Sequence, residues 1–172
     1  MNSNTTIFAS EFLTESIFRL QENVPRIKIC LGQLTEDQVW QKSNSSTNSI
    51  ANLILHVCGN ITQYISSSLG NQPDLRQRDS EFSITNGVTK SELLACLDTT
   101  VKEAISVLEN TTEEALLKER LVQGFKYSGI GMVIHVVEHL SYHTGQIATQ
   151  TKLLTNTDLG FYDGLDLNIK NE

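Results

Sequence analysis

The chain has 172 residues, of which 39% are hydrophobic and 19% charged, and its 13 basic and 20 acidic residues give a formal net charge of -7. The length suits one domain spanning residues 1–172, and the chain is too apolar to be disordered. The scarcity of basic residues argues against a nucleic-acid partner, and no apolar run approaches the roughly 18–20 residues of a membrane span.

The opening segment MNSNTTIFAS has no charged n-region and no long apolar h-region, which predicts a cytoplasmic protein with no membrane association. From about Phe8 to Leu34 apolar residues recur mostly at intervals of three and four, the helical period, and Pro25 is expected to kink or split that helix. Residues 35–49 contain the polar run KSNSSTNS and read as a loop, with Thr47 or Asn48 as the N-cap of the next helix. The second helix is placed from about Ser49 to Leu69, where Gly70 provides a stop.

A long polar connection containing Pro73 follows. Thr89 and Glu92 fit a capping box that opens a third helix running to about Glu109, and residues 112–118 add a short extra turn or two. After a break at Gly124, a fourth helix covers about Ser128 to Leu154. With four long helices and no hairpin signal, the expected fold class is all-α, a four-helix bundle with long connections. The three cysteines, Cys30, Cys58 and Cys96, lie among aliphatic residues and read as reduced, buried thiols.

All four histidines fall on two of these helices: His56 on the second, and His135, His139 and His143 at successive i+4 steps on the fourth. An i, i+4 pair shares one helix face, so two imidazoles can converge on one ion, and both His135/His139 and His139/His143 meet this condition. His135 and His143 are separated by about 12 Å of helical rise, which strains a triad drawn from one helix. A third ligand is therefore expected from another helix, and His56 is the one histidine left.

On the second helix Asn52, His56, Asn60 and Gln63 fall within about 40° of one line, and on the fourth so do His135, His139, His143 and Gln146. Each line borders an apolar arc, so two facing edges of this kind would make a polar cleft lined with nitrogen ligands. Asn60, Gln63, Gln146 and the spare His135 are candidates to support the ligands rather than to bind.

Competing motifs are weaker. HVVEH at 135–139 has the H-x-x-E-H form of a metalloprotease, but Glu138 lies about 100° from His139, off the polar line. A di-iron site needs a glutamate three residues before each histidine, and Leu53 and Val136 stand there instead. Cys58 is about 200° around the helix from His56 and is not expected to share its face.

The segments NSIANLILHVCGNITQYI (48–65) and HVVEHLSYHTGQI (135–147) resemble the DinB-like (YfiT-like) metalloprotein superfamily, in a branch described mainly as of unknown function. RDSEF in the long connection and DLGFYD near the end are similar to the same branch. The resemblance implies a four-helix bundle in which His56, His139 and His143 bind one divalent transition metal ion, nickel or zinc, with water completing the shell. It also implies a homodimer.

The superfamily includes enzymes acting with low-molecular-weight thiols, such as bacillithiol S-transferases and mycothiol-dependent isomerases. The function expected is therefore a metal-dependent thiol S-transferase or hydrolase acting on a small-molecule substrate, and the alternative is a noncatalytic, stress-associated metal-binding module. No catalytic residue is assigned beyond the ligands, since Glu138 points away and Tyr142 lies about 60° around the helix from His139. Arg76 and Arg78 offer recognition of an anionic substrate, although a solvated surface is the expected place for both.

Overall fold

The computed structural model describes residues 3–171, with side chains described from residue 7 onward. The elements in chain order are α1 (Ser3–Gln33), α2 (Glu36–Trp40), α3 (Ile50–Ile61), α4 (Arg78–Ser83), α5 (Lys90–Glu109), α6 (Glu113–Leu117), β1 (Glu119–Val122), β2 (Phe125–Ser128) and α7 (Gly129–Thr155). A π-helical stretch, Thr62–Leu69, continues α3 directly. The fold is an all-α bundle of four long helices, as the periodicity predicts: α1 and α3 each pack against both α5 and α7 and so lie diagonally opposite. Among the described residues no helix is long and apolar enough to cross a membrane.

The core follows from the periodic apolar faces. Leu20 and Ile27 of α1, Ile54 and Val57 of α3, Leu93 and Leu97 of α5, and Val136 and Leu140 of α7 are all buried together. Burial on both sides of Pro25 explains why the expected split in α1 does not occur. Leu20 and Ile27 seat the helix on one core, and it runs through the proline unbroken.

Helix starts are set by side-chain oxygens that accept otherwise unpaired backbone N–H groups. Thr89 with Glu92 forms the expected capping box of α5. The cap of α3 is Ser49, one or two residues beyond the expected Thr47 or Asn48, because Asn52 completes a reciprocal box with it. Within the segment read as a loop, Thr35 and Gln38 form another capping box and open the short α2.

The long connections hold structure that the sequence reading left irregular. The first contains α4, and the second contains α6 followed by an antiparallel hairpin in which Val122 pairs with Phe125. Gln123 and Gly124, the two turn residues, have φ of 52° and 82°, as a type I′ turn requires. The expectation of no hairpin is thus corrected. A Gln-Gly turn lacks the Asn or Asp that usually signals this geometry, because glutamine's longer side chain does not assist its own backbone into positive φ.

Asn52 ties the first connection to α3. It is fully buried; its Oδ1 accepts from the Ser49 N–H (3.2 Å) and hydroxyl (2.7 Å), and its Nδ2 donates to the carbonyls of Glu81 and Ile84 (2.9 Å each). Replacing it removes the side-chain donor from two part-buried carbonyls. Asn52→Ala is expected to cost about 2–3 kcal/mol of folding stability, measured by denaturant unfolding, and to increase amide exchange across residues 78–84.

Candidate metal centre

Helices α3 and α7 place their polar edges face to face and antiparallel. His56 Nε2 and His139 Nε2 are 3.0 Å apart, and one turn further along α3, Asn60 Nδ2 lies 3.1 Å from His135 Nε2. The His56 ring lies 4.9 Å from that of His139 and 5.1 Å from that of His143, and the latter two are 4.4 Å apart. Each of the three can offer one nitrogen such that all lie within 4.8 Å of one another, close enough to hold a metal ion. His135 stands outside this group. Its ring stacks on Tyr64 at 4.4 Å and on His139 at 5.3 Å.

Two of the three imidazoles are oriented through their other ring nitrogen. His56 Nδ1 lies 2.8 Å from Glu81 Oε2, and His143 Nδ1 lies 2.7 Å from Gln146 Oε1. Arg76 Nη2 also approaches His56 Nδ1, at 3.2 Å, but the shorter contact is to a carboxylate that can only accept; with the proton on Nδ1 in both rings, an Nε2 lone pair faces the group. Gln146, singled out as a supporting residue by its position on the polar line, has that role.

Glu81 is the residue that sequence reasoning missed, and Arg76 is the one it misplaced. Arg76 donates from Nε to Glu81 Oε1 (2.7 Å) and from Nη2 to Oε2 (2.9 Å), while its Nη1 donates to Gln63 Oε1 (2.9 Å). Its side chain is only 4% exposed, so the expected solvated surface is corrected for Arg76. Arg78 is exposed and lies over Phe82, whose ring sits 4.7 Å from that of His56.

Gly59 makes the pair possible, since a Cβ there would stand 2.0 Å from Glu81 Oε1 and 3.0 Å from Arg76 Nε. No local pattern marks these residues. Glu81 sits on a six-residue helix without a side-chain cap, and its partner His56 is 25 residues away.

The electrostatics favour the neutral forms of His135, His139 and His143 and an ionised Glu81. Burial, the largest single influence on Glu81, raises its pKa, but hydrogen bonds from Arg76 and His56 and their charges outweigh it and hold the carboxyl below its usual 4.5. Burial, with the facing imidazoles of His143, His56 and His135 and the charge of Arg76, lowers His139 from 6.5 to about 3. Burial likewise lowers His135 and His143.

The donor set fits an ion. Ligand bonds of about 2.0–2.1 Å in tetrahedral geometry put nitrogens roughly 3.3 Å apart, so the 3.0 Å His56–His139 separation needs little change. Asn60 Oδ1, buried beside the group, has no hydrogen-bond partner and is free to accept from a further ligand. Cys58, buried on the same helix as His56, is not part of the set. All three cysteines are free, Cys30 and Cys58 buried and Cys96 half-buried. Glu138 is exposed, as its angular position predicts.

Glu81→Gln keeps the shape but not the charge, and is expected to weaken metal affinity about 10–100-fold in competition with a chromophoric chelator. Gly59→Ala should do the same by displacing the carboxylate. The depressed histidines also set a pH dependence. Below 6.5 the unfolded chain takes up protons that folded His139 refuses until about 3, so metal-free stability is complete above that window and is lost as pH falls through it. Thermal melts of metal-free protein from neutral pH down to about 4 should show a steadily falling Tm.

Similar structures share this architecture. A conserved protein from Enterococcus faecalis superposes with a TM-score of 0.72 at 16% identity, covering 84% of this chain and 97% of its own. A DinB-like protein, YjoA, from Bacillus subtilis superposes with a TM-score of 0.65 at 17% identity, covering 84% of this chain and 94% of its own. Among curated proteins none matches the sequence significantly. The resemblance carried by the two histidine segments is borne out in the DinB-like fold. Residues 7–162 match the family described as "Protein of unknown function (DUF1572)", and the chain belongs to that DinB-like family.

Proposed function

We propose that this protein is a metal-dependent enzyme in which His56, His139 and His143 hold one divalent transition metal ion, nickel or zinc, and that it transfers a low-molecular-weight thiol or hydrolyses a small-molecule substrate. The observation that carries this reading is the convergence of three imidazoles from two helices, those of His56 and His143 buried and that of His139 half-buried, two of them anchored through their far nitrogens. Three protein ligands rather than four are the pattern of catalytic sites, which keep one position open. Once bound, such an ion lowers the pKa of a coordinated water or thiol toward neutrality.

The chain's own groups bind and orient rather than shuttle protons. Both oxygens of Glu81 are taken by Arg76 and His56, so it serves to fix His56 and not as a free base. Phe82 covers one side of His56 and excludes water there. Glu81 is fully engaged, and Tyr142, whose ring lies 5.0 Å from that of His143, is largely exposed; neither is a buried, poised acid or base, and this favours the second reading, a noncatalytic metal-binding module in which the ion joins α3 to α7. A single domain, a cytoplasmic location and a homodimer complete the proposal and rest on composition and family resemblance.

Protein purified without a chelating tag is expected to carry about one nickel or zinc per chain, and added metal should raise Tm. Metal-loaded protein assayed with a panel of thiols and electrophiles should turn over, and His139→Ala should lose metal and at least about 100-fold in rate. Full activity of His139→Ala would overturn the enzyme assignment. Stoichiometric metal with no turnover across the panel would favour the noncatalytic module.

A further inference from the structure

A cleft of about 640 Å³ adjoins the centre on the side of His143, walled by the loop at 46–48, by Leu53 of α3 and by Tyr142, Gly145, Gln146, Thr149 and Gln150 of α7. Gln146 belongs to both places: its Oε1 holds His143 Nδ1 at 2.7 Å while its side chain lines the cleft. The opposite rim is prearranged. Asn44 and Thr47 bond each other through Thr47 Oγ1 (3.1 Å to the Asn44 N–H, 3.0 Å to its carbonyl), and Ser49 and Asn52 close the capping box beneath.

Gly145 has no structural explanation except this cleft. It sits in the middle of the 27-residue α7, where glycine weakens a helix relative to alanine. Its φ is not positive, and an added Cβ would meet nothing within 4 Å, so neither backbone conformation nor packing requires glycine. What glycine does provide is an open wall next to Gln146, one turn from Thr149 and two residues from His143.

The chemistry of the lining selects a ligand class. No charged side chain lines the cleft; hydroxyl and carboxamide groups supply donors and acceptors, and Leu53 and the 63%-exposed Tyr142 ring supply apolar faces. A charged group entering it would lose hydration and find no counter-charge, and Arg76, the buried cation near the centre, is already engaged by Glu81 and Gln63. We propose that this cleft binds the non-reacting part of the substrate, and that this part is uncharged, carrying an amide beside a flat apolar group. The proposal deepens the enzymatic reading and rests on it for the word substrate, since the cleft adjoins the metal centre through Gln146.

Three near-isosteric probes test it: benzamide, benzoate and benzamidine, the last two charged at neutral pH. Titrated into isotopically labelled full-length protein, benzamide is expected to shift the backbone amides of 145–150 and to bind at least about fivefold tighter than either charged probe. Gly145→Leu projects into the cleft from a position where the added Cβ meets nothing within 4 Å. It should keep its metal content and Tm while losing at least about tenfold in benzamide affinity. Gln150→Lys should reverse the preference toward benzoate.

Equal binding of benzoate and benzamide by the parent protein, or unchanged benzamide affinity in Gly145→Leu, would overturn the cleft assignment. Metal content measured on the same samples separates the two readings. Selective benzamide binding to a protein that takes up no metal supports the cleft and removes the enzymatic reading, whereas metal uptake without probe binding removes the cleft assignment and leaves the metal centre standing.

Discussion

The arginine–glutamate pair formed by Arg76 and Glu81 is the interaction on which the centre and its surroundings both depend. Two charges withdrawn from water are tolerated only when geometry is close and the remaining donors and acceptors are used. Here the guanidinium meets the carboxylate through two parallel bonds and spends a third on Gln63. The carboxylate in turn spends its second oxygen on His56. Gly59 supplies the room for the pair on α3, and Asn52 clamps the backbone that carries Glu81 to the same helix. The connection between α3 and α5 is therefore an integral wall of the histidine cluster.

This arrangement also settles the charge balance that a cation would meet. An isolated buried arginine beside three imidazoles would oppose any further positive charge. Paired with Glu81 its charge is largely balanced, and it is burial, with the facing imidazoles, that does most to keep His139 unprotonated and its ring-nitrogen lone pair available. The weak hold on protons thus comes chiefly from burial, while the paired charges leave little net positive charge facing a metal ion.

Most of the architecture was legible because it is written in local periods. The four long helices, the Thr89 capping box and the polar lines on the second and fourth helices are all read from spacings of three and four. Spacing alone left two histidine pairs open on the fourth helix. The choice depends on how α3 and α7 are shifted against each other, a register that no single helix encodes and that sets His56 against His139 and His143, and Asn60 against His135. The family resemblance carried that information where periodicity did not. Glu81, Arg76 and the Gln123–Gly124 turn escaped for the opposite reason. They belong to short elements whose partners are distant in sequence, so their meaning exists only after the bundle has formed.

The π-helical continuation of α3 gives chain length a role of its own. Along Ile50–Ile61 each residue advances the face by the ordinary α step, which is why His56 and Asn60 share an edge. From Thr62 to Leu69 the wider i to i+5 closure fits one more residue into each turn, with Gly70 N–H returning to the Ile65 carbonyl at 2.8 Å. Tyr64 meets His135 from inside that widened stretch. Where a helix of uniform pitch is sensitive to which residues it contains, this one is sensitive to how many. Removing one residue between 62 and 69 would let the α pitch run on and swing the start of the Arg76–Glu81 connection to another side of the bundle.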